Sequence, residues 1–313
     1  MDVITQFLNY LQFEKRLSKH TVIAYEQDIK QFFTFYLQNL FEKEKDDIST
    51  TTVIAYINKI DINDIQGAAF RTWIVELIDN KITPRSVNRK ISALKAFYHY
   101  HHKMGRVQTN PLSLIQGMKT SKKLPVYVEQ NDMKNLFSLD VFPDTFEGCR
   151  DRTILELFYA TGMRLSELIN LKYRDVDLYE STVKVLGKRN KERIIPFGDT
   201  MKKAFNTYFS CRKEKFGELN NEDFIFVTST SNKLYPKAVY RIVKKYIQLV
   251  SNMQQVSPHT LRHTFATHLL NKGADINAIK EILGHTSLAA TQVYTHNSIE
   301  KLKSIYKQAH PRA

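Results

Sequence analysis

Ser257–Leu270 reads S-P-H-T-L-R-H-T-F-A-T-H-L-L, and the rest of the chain is best understood outward from it. Ser257 is a side-chain cap and Pro258 a first-turn residue, so a helix begins here. Leu261, Phe265 and Leu269 recur at helical spacing and give that helix a buried side. His259 and Arg262 lie three apart on another face, within the first two turns. The N-terminal half of a helix favours an anion. A guanidinium there can hold a phosphate through two parallel hydrogen bonds, and an imidazole can bind the same group or relay a proton. His263 and His268 are read as structural or exposed. His259 and His263 have the i, i+4 spacing of a zinc pair. Thr260, however, stands where a metalloprotease needs glutamate, and no cysteine is near, so no metal site is expected.

Four further pieces carry polar groups of the same chemistry. Thr161–Leu168 reads T-G-M-R-L-S-E-L. Arg164 follows a glycine that ends one helix and opens another, inside an apolar stretch where an arginine is costly unless paired. Glu167 is its expected partner. The pair is either a structural salt bridge or a second phosphate clamp with Glu167 orienting it, and the downstream motif favours the clamp. Ile282–His285 reads I-L-G-H. Gly284 ends a helix over Ile276–Leu283 and sets His285 at a chain reversal. Ala290–His296 reads A-T-Q-V-Y-T-H, placing Tyr294 in a short helix over Leu288–Tyr294. A tyrosine is a poor nucleophile at neutral pH, and two arginines around a phosphate lower the cost of the phenolate and of the transition state. Upstream, Gly187–Arg193 reads G-K-R-N-K-E-R. A lysine in such a turn can enter a minor groove and protonate a leaving alkoxide, with Lys188 and Lys191 as candidates.

Taken in order, Arg164, Lys188, H-x-x-R at His259–Arg262, His285 and Tyr294 resemble the pattern of the tyrosine site-specific recombinases. Within that family the chain looks most like the Xer-type chromosome-dimer recombinases. The resemblance is strongest over Thr161–Ala313, moderate over Val3–Tyr36 and Thr83–Pro125, and weak over Lys43–Gln66. It implies that Tyr294 attacks the scissile phosphate, forms a 3′-phosphotyrosyl link and releases a 5′-hydroxyl. Arg164, Arg262, His259 and His285 would hold the phosphate, with Lys188 as general acid. Arg189 stands where many relatives have glycine, which bears on the flexibility of that turn. No cofactor, ATP or divalent metal is implied. The implied partners are double-stranded DNA and further protomers, four on two sites, either identical or including a paralogue, with a DNA translocase as candidate activator. The tail Ile299–Ala313 would pack into a neighbouring protomer. A phage- or transposon-type integrase and a non-catalytic DNA-binding protein stand as alternatives.

Composition agrees with a polyanionic partner. The 313 residues carry 46 Lys+Arg against 32 Asp+Glu, a formal charge of +14. Cys149 and Cys211 lie far apart in sequence and read as ordinary helix residues, with no disulfide framework. A cytoplasmic, nucleoid-associated protein is expected. Met1–Tyr10 has no secretory pattern, and no stretch approaches a membrane span.

The expected fold is mainly α with a small antiparallel β-sheet, in two domains. Residues 1–112 form a helical N-terminal core-binding (DNA-binding) domain, 113–125 a basic interdomain linker, and 126–313 an α+β catalytic domain with a C-terminal docking helix. Ser18 caps a helix from Lys19, and Thr83-Pro84 opens another that runs to Gly105. Arg85, Arg89, Lys90 and Lys95 decorate that second helix as candidate DNA contacts or as a solvated face. Lys119, Lys122 and Lys123 in the linker and Arg189 in the turn are further candidates. In Lys43–Gln66 only a helix around Thr52–Asn58 is assigned. His99, His101 and His102 cluster near a helix end without acidic or thiol co-ligands. In the second domain helices are expected at Arg150–Ala160, Ser166–Leu171, Thr200–Arg212, Pro236–Val250 and Pro258–Leu270. Between them a hairpin joins Thr182–Leu186 to Arg193–Phe197. Ile299–Tyr306 presents Leu302, Ile305 and Tyr306 on one face, and Tyr306 is read as a docking residue rather than the nucleophile.

Overall fold

The computed structural model describes residues 2–41, 61–120, 126–138, 140–187, 192–284 and 296–312. The expected helices over Thr52–Asn58 and Leu288–Tyr294 lie outside these residues. The chain divides into two compact units, Met1–Lys123 and Leu124–Ala313.

In the first unit, α1 (Val3–Asn9) starts where the Asp2 carboxylate accepts the Thr5 N–H at 2.8 Å. It runs into one π-helical turn, Tyr10–Glu14, and α2 (Lys19–Phe41) follows. α3 (Gly67–Asp79) was not legible from the sequence, and α4 (Pro84–Lys103) opens on the expected Thr83 cap. These helices close over a core of large rings. Phe32 stacks on Phe70 at 4.4 Å, and Phe97 meets Phe7 edge-on at 5.5 Å.

Two sequence readings change here. Lys90 is buried, not on a solvated face: its Nζ donates to Asp28 at 3.0 Å and also to Gln31. Asp28 is itself buried and takes Arg89 as a second partner. A buried carboxylate needs cations, so the helix face read as phosphate-binding is partly used to join α4 to α2. Arg85 stays exposed and Lys95 is half-buried. The segment read as linker also begins later than its sequence suggests. Ile115 packs in the first unit's core, and the Asn88 side chain brackets Met118, accepting from its N–H at 2.7 Å and donating to its carbonyl at 2.9 Å. Lys119 is exposed, while Lys122 and Lys123 lie outside the described residues.

The second unit is built on α6 (Phe146–Thr161), which is buried on nearly every side. It is preceded by α5 (Gln130–Ser138) and followed by the short α7 (Leu165–Ile169). Strands β1 (Val176–Asp177), β2 (Thr182–Leu186) and β3 (Glu192–Pro196) form a three-stranded antiparallel sheet in that order. Val183 pairs with Ile195 and Val185 with Arg193, and all four side chains are buried. Helices α8 (Asp199–Phe216), α9 (Pro236–Val250), α10 (Pro258–Asn271), α11 (Ile276–Leu283) and α12 (His296–Ala309) complete the unit.

The C-terminal residues, expected to pack into a neighbouring protomer, close the second unit. In the single chain they dock in cis. Tyr306 is buried and stacks on His310 at 4.6 Å. The His310 Nε2–H donates to the Tyr159 carbonyl at 3.0 Å, while its Nδ1 accepts from Arg312 N at 3.1 Å. Arg312 Nε and Nη2 donate to both oxygens of buried Glu156, at 2.5 and 3.1 Å. α6 thus supplies what this tail needs: a carbonyl, a carboxylate and aromatic surface.

His310 also makes the docking pH-sensitive. Burial pushes its ring down from the ordinary 6.5 to about 4, so the folded state holds it neutral. A base with a depressed folded value contributes stability above 6.5 and loses it as pH falls towards 4. His101 of the first unit, buried against Phe97 and near Arg106, is depressed to about 4 in the same way. Urea-unfolding midpoints are therefore expected to fall across this window. A midpoint independent of pH there would mean that both rings protonate without cost.

Candidate active site

Three arginines from three separate elements meet at one helix end. α11 stops at Gly284, whose left-handed φ of 65° turns the chain. Its last carbonyls have no intrahelical donor. Arg193 Nε donates to Ile282 O at 2.7 Å, Arg262 Nη2 to Leu283 O at 2.6 Å, and Arg164 Nη2 to Gly284 O at 3.1 Å. Three consecutive carbonyls therefore each take a different guanidinium, at the negative end of a helix.

Each arginine arrives for a local reason. Arg164 is the N-cap of α7, and Glu167 at N3 folds back to accept the Arg164 N–H at 2.7 Å and its Nη1 at 2.8 Å. Arg262 projects from the second turn of α10, which starts on the expected Ser257 cap with Pro258 in its first turn. Its Nη1 reaches Gly162 O at 2.7 Å. Gly162 ends α6 at φ 58°, and a Cβ there would lie 2.4 Å from Phe265, so the close crossing of α6 and α10 requires glycine. Arg193 comes inward from β3.

One carboxylate serves this cluster. Glu167 takes Arg193 Nη1 and Nη2 at 2.7 and 2.9 Å as well as Arg164. Burial alone would raise the Glu167 carboxyl, but the Arg193 hydrogen bonds and charge, then those of Arg164, hold it below its ordinary value. Arg262 has only carbonyls as partners among the described residues. Burial, then the charges of Arg164 and Arg193, push it down to about 10, with Glu167 partly opposing. Among the described residues, three positive charges against one negative leave this cluster with a net positive charge. Arg262 spends two of its five N–H donors on carbonyls, leaving others for a ligand.

The remaining sequence candidates fall out as follows. His259 is exposed on the first turn of α10, beside the Arg262 face. His263 is half-buried and held below its ordinary value by burial, then by His259. His268 is buried and pairs through Nδ1 with the Tyr159 hydroxyl at 2.9 Å, a structural role as expected. Lys188, Arg189, Lys191, His285 and Tyr294 lie outside the described residues. Tyr306 is buried, and burial raises its phenol further from ionisation.

Chain-wide comparison agrees with this geometry. Residues 127–301 match the model of the phage integrase family, and residues 4–64 match a phage integrase N-terminal SAM-like domain. Tyrosine recombinase XerC of Chlorobaculum parvum is 37% identical, covering 98% of this chain and 94% of the relative. Tyrosine recombinase XerC of Bacillus subtilis is 35% identical, over 98% and 95%. The chain belongs to the phage integrase family of tyrosine recombinases. The tyrosine recombinase fold is shared with XerH bound to a palindromic difH substrate, at TM-score 0.65 and 21% identity over 96% of this chain and 93% of that one. It is shared also with a Tn1549 transposon integrase bound to transposon end DNA, at TM-score 0.68 and 18% identity over 97% and 99%.

Two features of this tyrosine recombinase were missed in the sequence. Arg193 was read only as part of a strand. The signal was its alternation with Ile195 and Phe197, which points it into the core. The other is the outer face of α9, where Lys237, Tyr240, Arg241 and Lys244 are exposed, while Val239, Ile242, Val243 and Tyr246 are buried opposite them. These cations recur at i, i+4 and i+7 on a helix with no acidic residue. Among the described residues no helix is long and apolar enough to cross a membrane.

Proposed function

We propose that this recombinase cuts and rejoins duplex DNA at a specific site, in the manner of the Xer-type relatives, and acts in resolving chromosome or plasmid dimers. The observation that carries the reading is the cradle of Arg164, Arg193 and Arg262 around the single carboxylate of Glu167. A phosphodiester is the anion that such a cradle suits: its two non-bridging oxygens match guanidinium forks, and it gains negative charge in the transition state. Arg164 and Arg262 bind its non-bridging oxygens. Glu167 orients Arg164 and is itself fixed by Arg193, while the carbonyls of Gly162 and Leu283 hold Arg262. His259 and His285 add donors. Tyr294 gives its phenol proton to solvent and attacks the phosphorus, its Oη–P bond forming as the bond to the 5′-oxygen breaks, and Lys188 gives that oxygen its proton. Lys191 is the alternative acid. The reverse attack by a 5′-hydroxyl of the partner strand rejoins the DNA, so neither ATP nor a metal is consumed. Double-stranded DNA and three further protomers, identical or paralogous, complete the assembly, in the cytoplasm and on the nucleoid. A DNA translocase is a candidate activator.

The test is a DNA site nicked beside the cleavage point. The protein is expected to form a denaturant-resistant adduct, and peptide mapping should place the nucleotide on Tyr294. Attachment at Tyr306 or another residue would overturn the assignment. The outer face of α9 supports a second meeting with the duplex backbone. Removing Lys237, Arg241 and Lys244 together should weaken binding and flatten its salt dependence, by about 0.9 in log–log slope for each phosphate that is no longer neutralised. An unchanged slope would remove α9 from the interface.

A further inference from the structure

Cys149 and Cys211 are distant in sequence, and the fold brings them together. Cys149 lies on α6 and Cys211 on α8, the most extensively packed helix pair of the second unit. The two helices run antiparallel. Thr153 Oγ1 bridges them, 2.7 Å from Cys149 O and 3.2 Å from Ala204 O, and Phe146 meets Tyr208 at 5.8 Å. Phe146, Cys149 and Thr153 share one face of α6, and Ala204, Tyr208 and Cys211 share one face of α8, so both thiols lie in this seam. Both are free and both are partly exposed, so a small reagent can reach them.

We propose that Cys149 and Cys211 are an oxidative modification site, closing reversibly to an intradomain disulfide in exchange with a small-molecule disulfide of the oxidised glutathione class. The chemistry balances in two steps. Either thiol of the pair can open the exchange, and the balance is the same with Cys211 first. The Cys211 thiolate attacks the small disulfide, breaks its S–S bond, forms a mixed disulfide and releases one small thiol. Cys149 then gives its proton to solvent and attacks the Cys211 sulfur. The Cys149–Cys211 bond forms and the second small thiolate leaves, taking up a proton. Two protein thiols are oxidised and one small disulfide is reduced to two thiols. Proximity is what makes the second step outrun the return of the small thiol.

The closed loop contains Arg164, Glu167 and Arg193, so the bond would restrict the unfolded chain around two of the cradle's three arginines and its carboxylate. In a reducing cytosol such a pair is normally open and responds to oxidant.

The experiment treats the full-length protein with oxidised glutathione, quenches in acid and follows intact mass and free thiols. Both thiols are expected to disappear together, the mass to fall by two hydrogens, and the product to run as a monomer on a non-reducing gel. Dithiothreitol should restore the starting species, and the oxidised form should unfold several degrees higher. Cys149→Ser should instead collect a stable glutathione adduct on Cys211. Accumulation of glutathione adducts on the unsubstituted protein, disulfide-linked dimers, or thiols that persist under oxidant would each overturn the proposal.

Discussion

Arg262→Ala is expected to reduce DNA cleavage by roughly 10²–10³ or more while changing DNA affinity far less. The rate effect follows from removing one preorganised donor from a developing negative charge. Affinity is spread over many phosphates, so the loss of one donor is minor there. The same guanidinium also joins Gly162 O to Leu283 O, so the substitution loosens the crossing of α6, α10 and α11. Rates must therefore be expressed per folded protein, with unfolding measured alongside. Arg262→Lys distinguishes charge from shape. An ammonium keeps the charge but has no planar fork to span two carbonyls on different elements, so it should recover little activity. A lysine variant with nearly full activity would mean that charge alone suffices and that the fork is dispensable.

Glu167→Ala is expected to be the most destabilising single substitution at this site. Glu167 and Arg193 are only 2% and 4% exposed at their side chains. Removing the carboxylate leaves a buried arginine without its counter-ion, a loss of about 3–5 kcal/mol. Cleavage should also fall, because Arg164 loses the acceptor that orients it. Adding Arg193→Leu to Glu167→Ala should return part of the stability, since the stranded charge is gone, but no activity. A double variant less stable than Glu167→Ala would show that the Arg193 bond to Ile282 O matters more than its charge.

Much of this site could be read before the fold. The Ser257 cap, Pro258, Arg262, Gly284 and the Arg164–Glu167 pair all rest on local rules: capping, helical spacing and i, i+3 neighbours. Those rules act over a single turn, and the structure keeps them. What could not be read is long-range. Arg193 meets Glu167 across 26 positions and Ile282 across 89, and only the sheet's placement against α11 brings them together. Lys90 looked solvated because it lies among cations in sequence. The buried Asp28 that claims it is on another helix. The tail's amphipathic face was clear, but its acceptor is the backbone and Glu156 of α6, which no local pattern identifies.

The burial of α6 has a kinetic side. Its main cover comes from α8, α10 and the last residues of the chain. Tyr159 waits for His268, 109 positions later, and Glu156 for Arg312, 156 positions later. Loops of that length close slowly, and pairings of high sequence separation lower the folding rate. During synthesis α6 emerges well ahead of these partners, with most of its apolar surface still wet. The helix that anchors the arginine cradle in the native state is thus the segment most in need of protection from aggregation while the chain is being made.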